Sequence, residues 1–269
     1  HKSKLVTRIF LIFLKSAELI TVLGDRQKSR LVQLGVQENK ITILPNACEL
    51  DIATEEQLAD KHKDPEEICV LHLSLLIESK GFPLYLEALG QLALSDLEKP
   101  VRAVLCGPMA VTSYCKELDT SAKKERWIIN KIDSINSQGR GKVSVRWIPG
   151  ATGREKQALF EKAHIFVFPS RFPVEAQPLV LLEAMASGCA IITSDVGEIP
   201  STLSNVYATT LTELSAENLV KEMKKLILSD ELRLEMAVSG RQAMLSTFSI
   251  QHYADRWEEI FSRLGDLER

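Results

Sequence analysis

The chain has 269 residues, of which 45% are hydrophobic and 26% charged, a balance that excludes a fibrous, low-complexity or disordered protein. That length suffices for one large or two small domains with a sizeable core. The net charge of −3 makes no case for a nucleic-acid partner, and none is expected.

The charge is uneven along the chain. Residues 1–50 carry eight Lys/Arg and four Asp/Glu, so +4, and the remainder carries 25 and 32, so −7. A basic N-terminal part is compatible with peripheral contact at an anionic membrane surface. It is equally compatible with a few solvated Lys and Arg. Within residues 5–23 the longest apolar run, 9–14, is too short to span a bilayer. Arg8, Lys15 and Glu18 interrupt the stretch, so a buried or interfacial helix is expected. The first residue is His, which fits a trimmed or processed chain. Cys48, Cys69, Cys106, Cys115 and Cys189 are scattered without a Cys-x-x-Cys pair. Cys69, Cys106 and Cys189 fall in or beside apolar runs and read as small buried hydrophobes rather than as a disulfide frame or metal site, which favours a cytoplasmic, reducing compartment.

In chain order, residues 5–17 read as a helix, 18–23 as a strand, 26–34 as a helix stopping at Gly35, and 41–44 as a short strand. Residues 49–67 are acidic, contain Pro65 and read as a linker with room for one short helix. From Ile68 the pattern becomes regular. Apolar runs at 68–73, 101–106, 143–148, 165–168, 190–193 and 206–209 predict strands. Helical periodicity at 81–94, 113–137, 153–163, 178–187, 215–228 and 230–247 fills the gaps. Strands alternating with helices predict βαβ units, hence an α/β fold with a doubly wound, Rossmann-like parallel sheet. Residues 250–264 predict one more amphipathic helix, with Tyr253, Trp257, Ile260, Phe261 and Leu264 at helical spacing.

One pair of residues stands out in this frame. Glu175 and Glu183 lie eight positions apart in 172–188, Phe-Pro-Val-Glu-Ala-Gln-Pro-Leu-Val-Leu-Leu-Glu-Ala-Met-Ala-Ser-Gly. The strand at 165–168 leads into the loop carrying Glu175, then into the helix carrying Glu183. In a parallel sheet that loop lies beyond the carboxyl end of a strand, where open sheets place ligands. Carboxylates only accept hydrogen bonds, so the pair suits a hydroxyl-rich ligand such as a ribose and a sugar ring.

The segment resembles the Glu-x7-Glu signature of retaining, nucleotide-sugar-dependent glycosyltransferases of family 4, the group 1 glycosyl transferases of GT-B fold. The similarity runs from about residue 16 to the C-terminus and is densest over 143–200. It implies a remnant of the N-terminal acceptor domain at 1–50 and a linker at 51–67. It further implies a nucleotide-sugar-binding domain at 68–248 and a C-terminal helix, 249–269, packing toward the 1–50 region.

The resemblance also implies roles. Glu183 matches the glutamate that hydrogen-bonds the ribose hydroxyls, and Glu175 the catalytic-site glutamate near the donor sugar. Lys80 matches a lysine on the diphosphate, with Gly81 opening the helix that follows. The usual arginine partner is Leu75, so half of that clamp is missing. The loop Trp147-Ile148-Pro149-Gly150 matches the one that gives the nucleobase backbone hydrogen bonds; for the Trp147 ring, core packing is an equal reading. The N–H groups of Gln177, Leu179 and Val180 would face sugar or phosphate, although Pro178 removes one donor from that turn. Glu198 stands where a second glycine is usual, and Ser201 where a glutamate is. His164 reads as a structural histidine.

No Asp-x-Asp occurs in the sequence, so no metal site is expected. No cofactor is expected beyond the donor substrate, a UDP- or GDP-linked sugar, with a glycan or glycolipid acceptor. A non-catalytic nucleotide-sugar-binding or scaffolding subunit is the alternative, and an epimerase a weaker one. A Rossmann dehydrogenase is disfavoured because no Gly-x-Gly-x-x-Gly follows a strand.

Overall fold

The computed structural model describes residues 2–267, with side chains described over 9–265. A small N-terminal unit comes first: α1 (Lys2–Ser16), β1 (Ile20–Val22), α2 (Asp25–Gln33) and β2 (Ile41–Ile43). β1 and β2 pair in parallel, Ile20 opposite Ile41. Val22, Val36 and Ile41 form their core with Leu14 and Leu31. α2 ends because Gly35, at φ +83°, supplies the left-handed residue that closes many helices. Residues 49–67, read as mostly linker, contain α3 (Glu55–His62). Thr54 and Gln57 form a reciprocal capping box at its start, a contribution that amphipathic periodicity does not register.

The larger unit alternates strand and helix: β3 (Ile68–Leu73), α4 (Phe82–Ala93), β4 (Val101–Cys106), α5 (Ser121–Gln138), β5 (Val143–Ile148), α6 (Gly153–Lys162) and β6 (Ile165–Phe168). It continues with α7 (Leu179–Ala186), β7 (Ala190–Ser194), α8 (Ile199–Thr202), β8 (Thr209–Leu211), α9 (Ala216–Leu228) and α10 (Asp230–Ala243). α11 (Ile250–Leu267) ends the described chain. The strand order is β5-β4-β3-β6-β7-β8 and every pairing is parallel. This is the doubly wound order, and its direction reverses between β3 and β6.

Both faces of the sheet are buried, which is why its strands read as continuous apolar runs. Val70, Ala103, Val145, Val167 and Ile192 pack with α4, α5 and α9 on one face. Leu71, Phe166, Phe168 and Ile191 pack with α6 and α7 on the other. Each such Val, Leu, Ile or Phe side chain, fully buried, stabilises the fold by about 1.5–3 kcal/mol before entropy is counted.

Three boundaries differ from expectation. Residues 113–120 form a loop, and α5 begins only where the Thr120 hydroxyl accepts the Lys123 N–H. The last strand lies at Thr209–Leu211 rather than 206–209, because the Val206 N–H is held by the Leu203 carbonyl in the turn leaving α8. The helix expected to 247 ends at Ala243 and widens into a π-helical turn, Met244–Phe248. The Phe248 carbonyl accepts the Cys48 N–H at 3.1 Å, joining the entry to α11 to the N-terminal segment.

The buried histidines carry a pH dependence. Burial holds the His62 imidazole down at about 3 and those of His72 and His164 at about 4. An unfolded chain takes up these protons near pH 6.5, before the folded one does. Their contribution is therefore whole above about pH 6.5 and is lost as pH falls toward 4 for His72 and His164 and toward 3 for His62, at a slope of at most ~1.4 kcal/mol per pH unit per histidine. Urea unfolding should show a lower midpoint at pH 5 than at pH 7. Equal midpoints would contradict this assignment.

Candidate functional site

Three loops meet at the carboxyl ends of β3, β6 and β7, beside the point where strand order reverses. After β3 the chain makes a 3₁₀ turn, Glu78–Lys80, and enters α4 through Gly81. Gly81 adopts φ +89°, and a Cβ there would stand 2.1 Å from the Pro169 carbonyl oxygen. The β3–α4 loop thus lies directly against the end of β6, which only a glycine permits. The Arg171 N–H donates to the Ser79 carbonyl at 2.6 Å. The Ser194 hydroxyl donates to the Ser170 carbonyl at 2.6 Å.

This convergence places Lys80 on Glu175. The ammonium donates to the two carboxylate oxygens at 2.7 and 2.8 Å. It lies over the Phe172 ring, 4.7 Å from the centroid. The buried Ser170 hydroxyl donates to Glu175 Oε2 at 2.8 Å. Glu175 is held from behind as well: the Glu198 N–H donates to its carbonyl at 3.1 Å. Gly197 is pressed so close that a Cβ would sit 1.7 Å from that carbonyl oxygen.

Glu183 lies in the second turn of α7, after Pro178 at the N-cap. Its Oε1 accepts from Lys156 at 2.5 Å. Its Oε2 is buried with no partner among the described residues. The carboxylate lines a cavity of about 460 Å³ with Cys48, Glu49, Arg154, Lys156 and Leu179. Burial pushes the Cys48 thiol up, so it stays neutral beside Glu183. An orphaned buried carboxylate oxygen is costly unless something donates to it, and hydroxyls are suitable donors.

The remaining sequence candidates fall around these two centres. Leu75 is 43% exposed beyond β3. The partly buried Trp147 indole packs against the core cluster of α4 and α5 and donates to the Gly107 carbonyl at 3.4 Å. The Ile148 carbonyl accepts the Gly107 N–H, and Gly150 lies open beside Pro108. The Gln177 side chain accepts the Asn46 N–H at 2.6 Å, tying this turn to the N-terminal segment. Leu179 and Val180 open α7, where helix N–H groups have no intrahelical partner. His164 accepts the Cys69 N–H.

Glu198, a departure from the expected glycine, has a structural task. It accepts from the backbone N–H groups of Arg26 and Gln27 at 3.2 and 2.5 Å, placing a carboxylate at the start of α2. Arg26 in turn pairs with Asp195 at 2.6 Å. Ser201 lies at the same junction, against Gly24.

Sequence reading gave no site role to Lys156, Ser170 or Phe172, although Phe172 opens the segment that carries Glu175. Lys156 precedes its partner by 27 positions on a different helix, and no local pattern signals such a pair. No group of three or more His, Cys, Asp or Glu among the described residues is arranged to hold a metal.

Known proteins share this architecture. The family model described as glycosyl transferases group 1 matches residues 53–243. Alpha-maltose-1-phosphate synthase of Mycolicibacterium smegmatis is 26% identical over 173 residues, 61% of this chain and 41% of its own length. Sucrose-phosphate synthase of Thermosynechococcus elongatus superposes with a TM-score of 0.71 at 18% identity, over 97% of this chain and 61% of the other. Anabaena HepE, solved with UDP and glucose, gives 0.70 at 15% identity, over 95% and 66%. The chain thus spans about two fifths of the curated relative's length. At these identities the solved structures establish a common fold.

Proposed function

This chain belongs to the glycosyl transferases group 1 family, and on that premise we propose that it carries the donor side of a retaining glycosyltransferase. The reaction would pass a sugar from a UDP- or GDP-linked donor to a glycan or glycolipid acceptor. Residues 51–67 would serve as the linker and 68–248 as the donor domain. Residues 1–50, joined to it by Glu198 and Arg26, would belong to the acceptor side. No helix among the described residues is long and apolar enough to cross a membrane. The basic residues of the N-terminal part leave peripheral contact with an anionic surface as a proposal, and the scattered cysteines favour a cytoplasmic setting.

The observation that carries this reading is the buried Oε2 of Glu183, without a partner among the described residues, beside a cavity large enough for a nucleoside. Ribose hydroxyls supply the donors it lacks. Lys80 meets the diphosphate, as a point charge without the fork that an arginine at position 75 would add. Gly81 brings the start of α4 close, with its free N–H groups toward phosphate. The backbone at Ile148 and Gly150 borders the base, and the N–H groups of Gln177, Leu179 and Val180 border the sugar phosphate. Glu175 accepts from the sugar. Fixed charge and helix termini of this kind stabilise a departing diphosphate.

Calorimetry with UDP and with GDP tests the nucleoside assignment. Glu183→Ala should weaken the better-bound of the two by about 1–3 kcal/mol, the scale of hydrogen bonds to a charged group. Unchanged affinity in a folded variant would remove Glu183 from the site.

A further inference from the structure

The Lys80 ammonium directs two of its three N–H donors at one carboxylate inside the protein. Two hydrogen bonds go to Glu175, and the faces of Phe172 and Phe168 lie 4.7 and 5.7 Å from the nitrogen. The pair is well sheltered, its side chains 18% and 6% exposed. A diphosphate approaching Lys80 meets a cation already neutralised by a carboxylate. We propose that Glu175 competes with the donor's diphosphate for Lys80, so that the site holds a whole nucleotide sugar in preference to the nucleoside diphosphate left after transfer. This rests on the donor-site reading above.

The argument turns on what Glu175 does once Lys80 is taken. A nucleotide sugar brings phosphate oxygens for Lys80 and hydroxyl donors for Glu175, so both partners of the broken pair are satisfied. A nucleoside diphosphate brings only the phosphate. Glu175 would then keep a single side-chain donor, the Ser170 hydroxyl at 2.8 Å. A buried carboxylate deprived of its counter-ion is costly, and that cost favours return of Glu175 to Lys80. The Ser170 hydroxyl also accepts the Phe172 N–H at 3.2 Å, so it holds Glu175 in reach of Lys80 throughout. Re-formation of the ion pair would therefore help expel the product.

The test is calorimetry of UDP and GDP against the 269-residue chain and its Glu175→Gln, Lys80→Met, double and Glu183→Ala variants. Glu175→Gln keeps the side-chain shape but removes the competing charge. It should tighten the better-bound nucleoside diphosphate about tenfold, equivalent to ~1.4 kcal/mol. The gain should vanish in the Lys80→Met background. The corresponding nucleotide sugar should not gain, because Glu175 serves it. Glu175→Ala provides the same charge removal if the glutamine variant does not fold. Weaker or unchanged diphosphate binding in folded Glu175 variants, with wild-type binding still dependent on Lys80 and Glu183, would overturn the competition and leave the donor site standing. Binding indifferent to both Lys80 and Glu183, or absent, would overturn both.

Discussion

Gly81→Ala is expected to destabilise the chain by about 3–5 kcal/mol, in the range reserved for strain and forced displacement in a packed interior. The residue adopts φ +89°, which an alanine holds only at a cost of roughly 1–2 kcal/mol. The larger part comes from contact. The new Cβ would lie 2.1 Å from the Pro169 carbonyl oxygen and 2.6 Å from its carbon. These are backbone atoms at the end of a central strand, with no rotamer to change. Relief requires moving the β3–α4 loop off β6, which also draws Lys80 from Glu175. Gly141 is the control: its φ is +82°, but no atom of the described residues lies within 4 Å of its added Cβ. Gly141→Ala should cost only the roughly 1–2 kcal/mol of that backbone conformation. Equal midpoints for the two variants in denaturant unfolding would show that the loop is not clamped at Pro169.

Lys80→Met is expected to act on stability and on binding together. Removing one member of a buried ion pair typically costs about 3–5 kcal/mol, because the other charge is left uncompensated. Here the Ser170 hydroxyl remains on Glu175, so the lower end of that range is expected. Methionine keeps an unbranched side chain of similar length beside the Phe168 and Phe172 rings that the ammonium faces, while removing the charge. Adding Glu175→Gln should recover most of the loss, since the stranded charge is then gone, and the double-mutant cycle gives the coupling. In calorimetry Lys80→Met should weaken nucleoside diphosphate binding, to the same affinity whether or not Glu175→Gln is also present. A variant as stable as the wild type that binds as well would place Lys80 outside both the packing and the site.

The architecture was legible because burial on both faces of the sheet writes itself into sequence as short apolar runs. The runs at 68–73, 101–106, 143–148 and 165–168 coincide with β3 to β6. Elements that depend on capping more than on apolar periodicity were less legible. α3 rests on the Thr54–Gln57 box, and α5 begins where Thr120 caps it. The site shows the same division. Gly81 and Glu175 lie in loops that follow strands, so their location could be read from topology. Pairings between distant elements could not: nothing near Glu183 in sequence announces Lys156, and nothing near Lys80 announces a bidentate contact with Glu175. Glu198 shows how a departure from a motif conceals a task. As a missing glycine it looked like a loss at the site, yet its carboxylate holds the start of α2. Gly197 keeps its glycine because a Cβ there would collide with the Glu175 carbonyl.

The central claim is that one nucleoside diphosphate spans the two carboxylate centres, with ribose at Glu183 and diphosphate at Lys80. A crystal structure of the chain with UDP or GDP, whichever calorimetry shows to bind, tests it most directly. The account predicts ribose hydroxyls about 2.5–3.0 Å from Glu183 Oε2, phosphate oxygens on Lys80, and Glu175 displaced from the ammonium. A nucleotide bound elsewhere, with Glu183 still paired only to Lys156 and Lys80 still on Glu175, would contradict it.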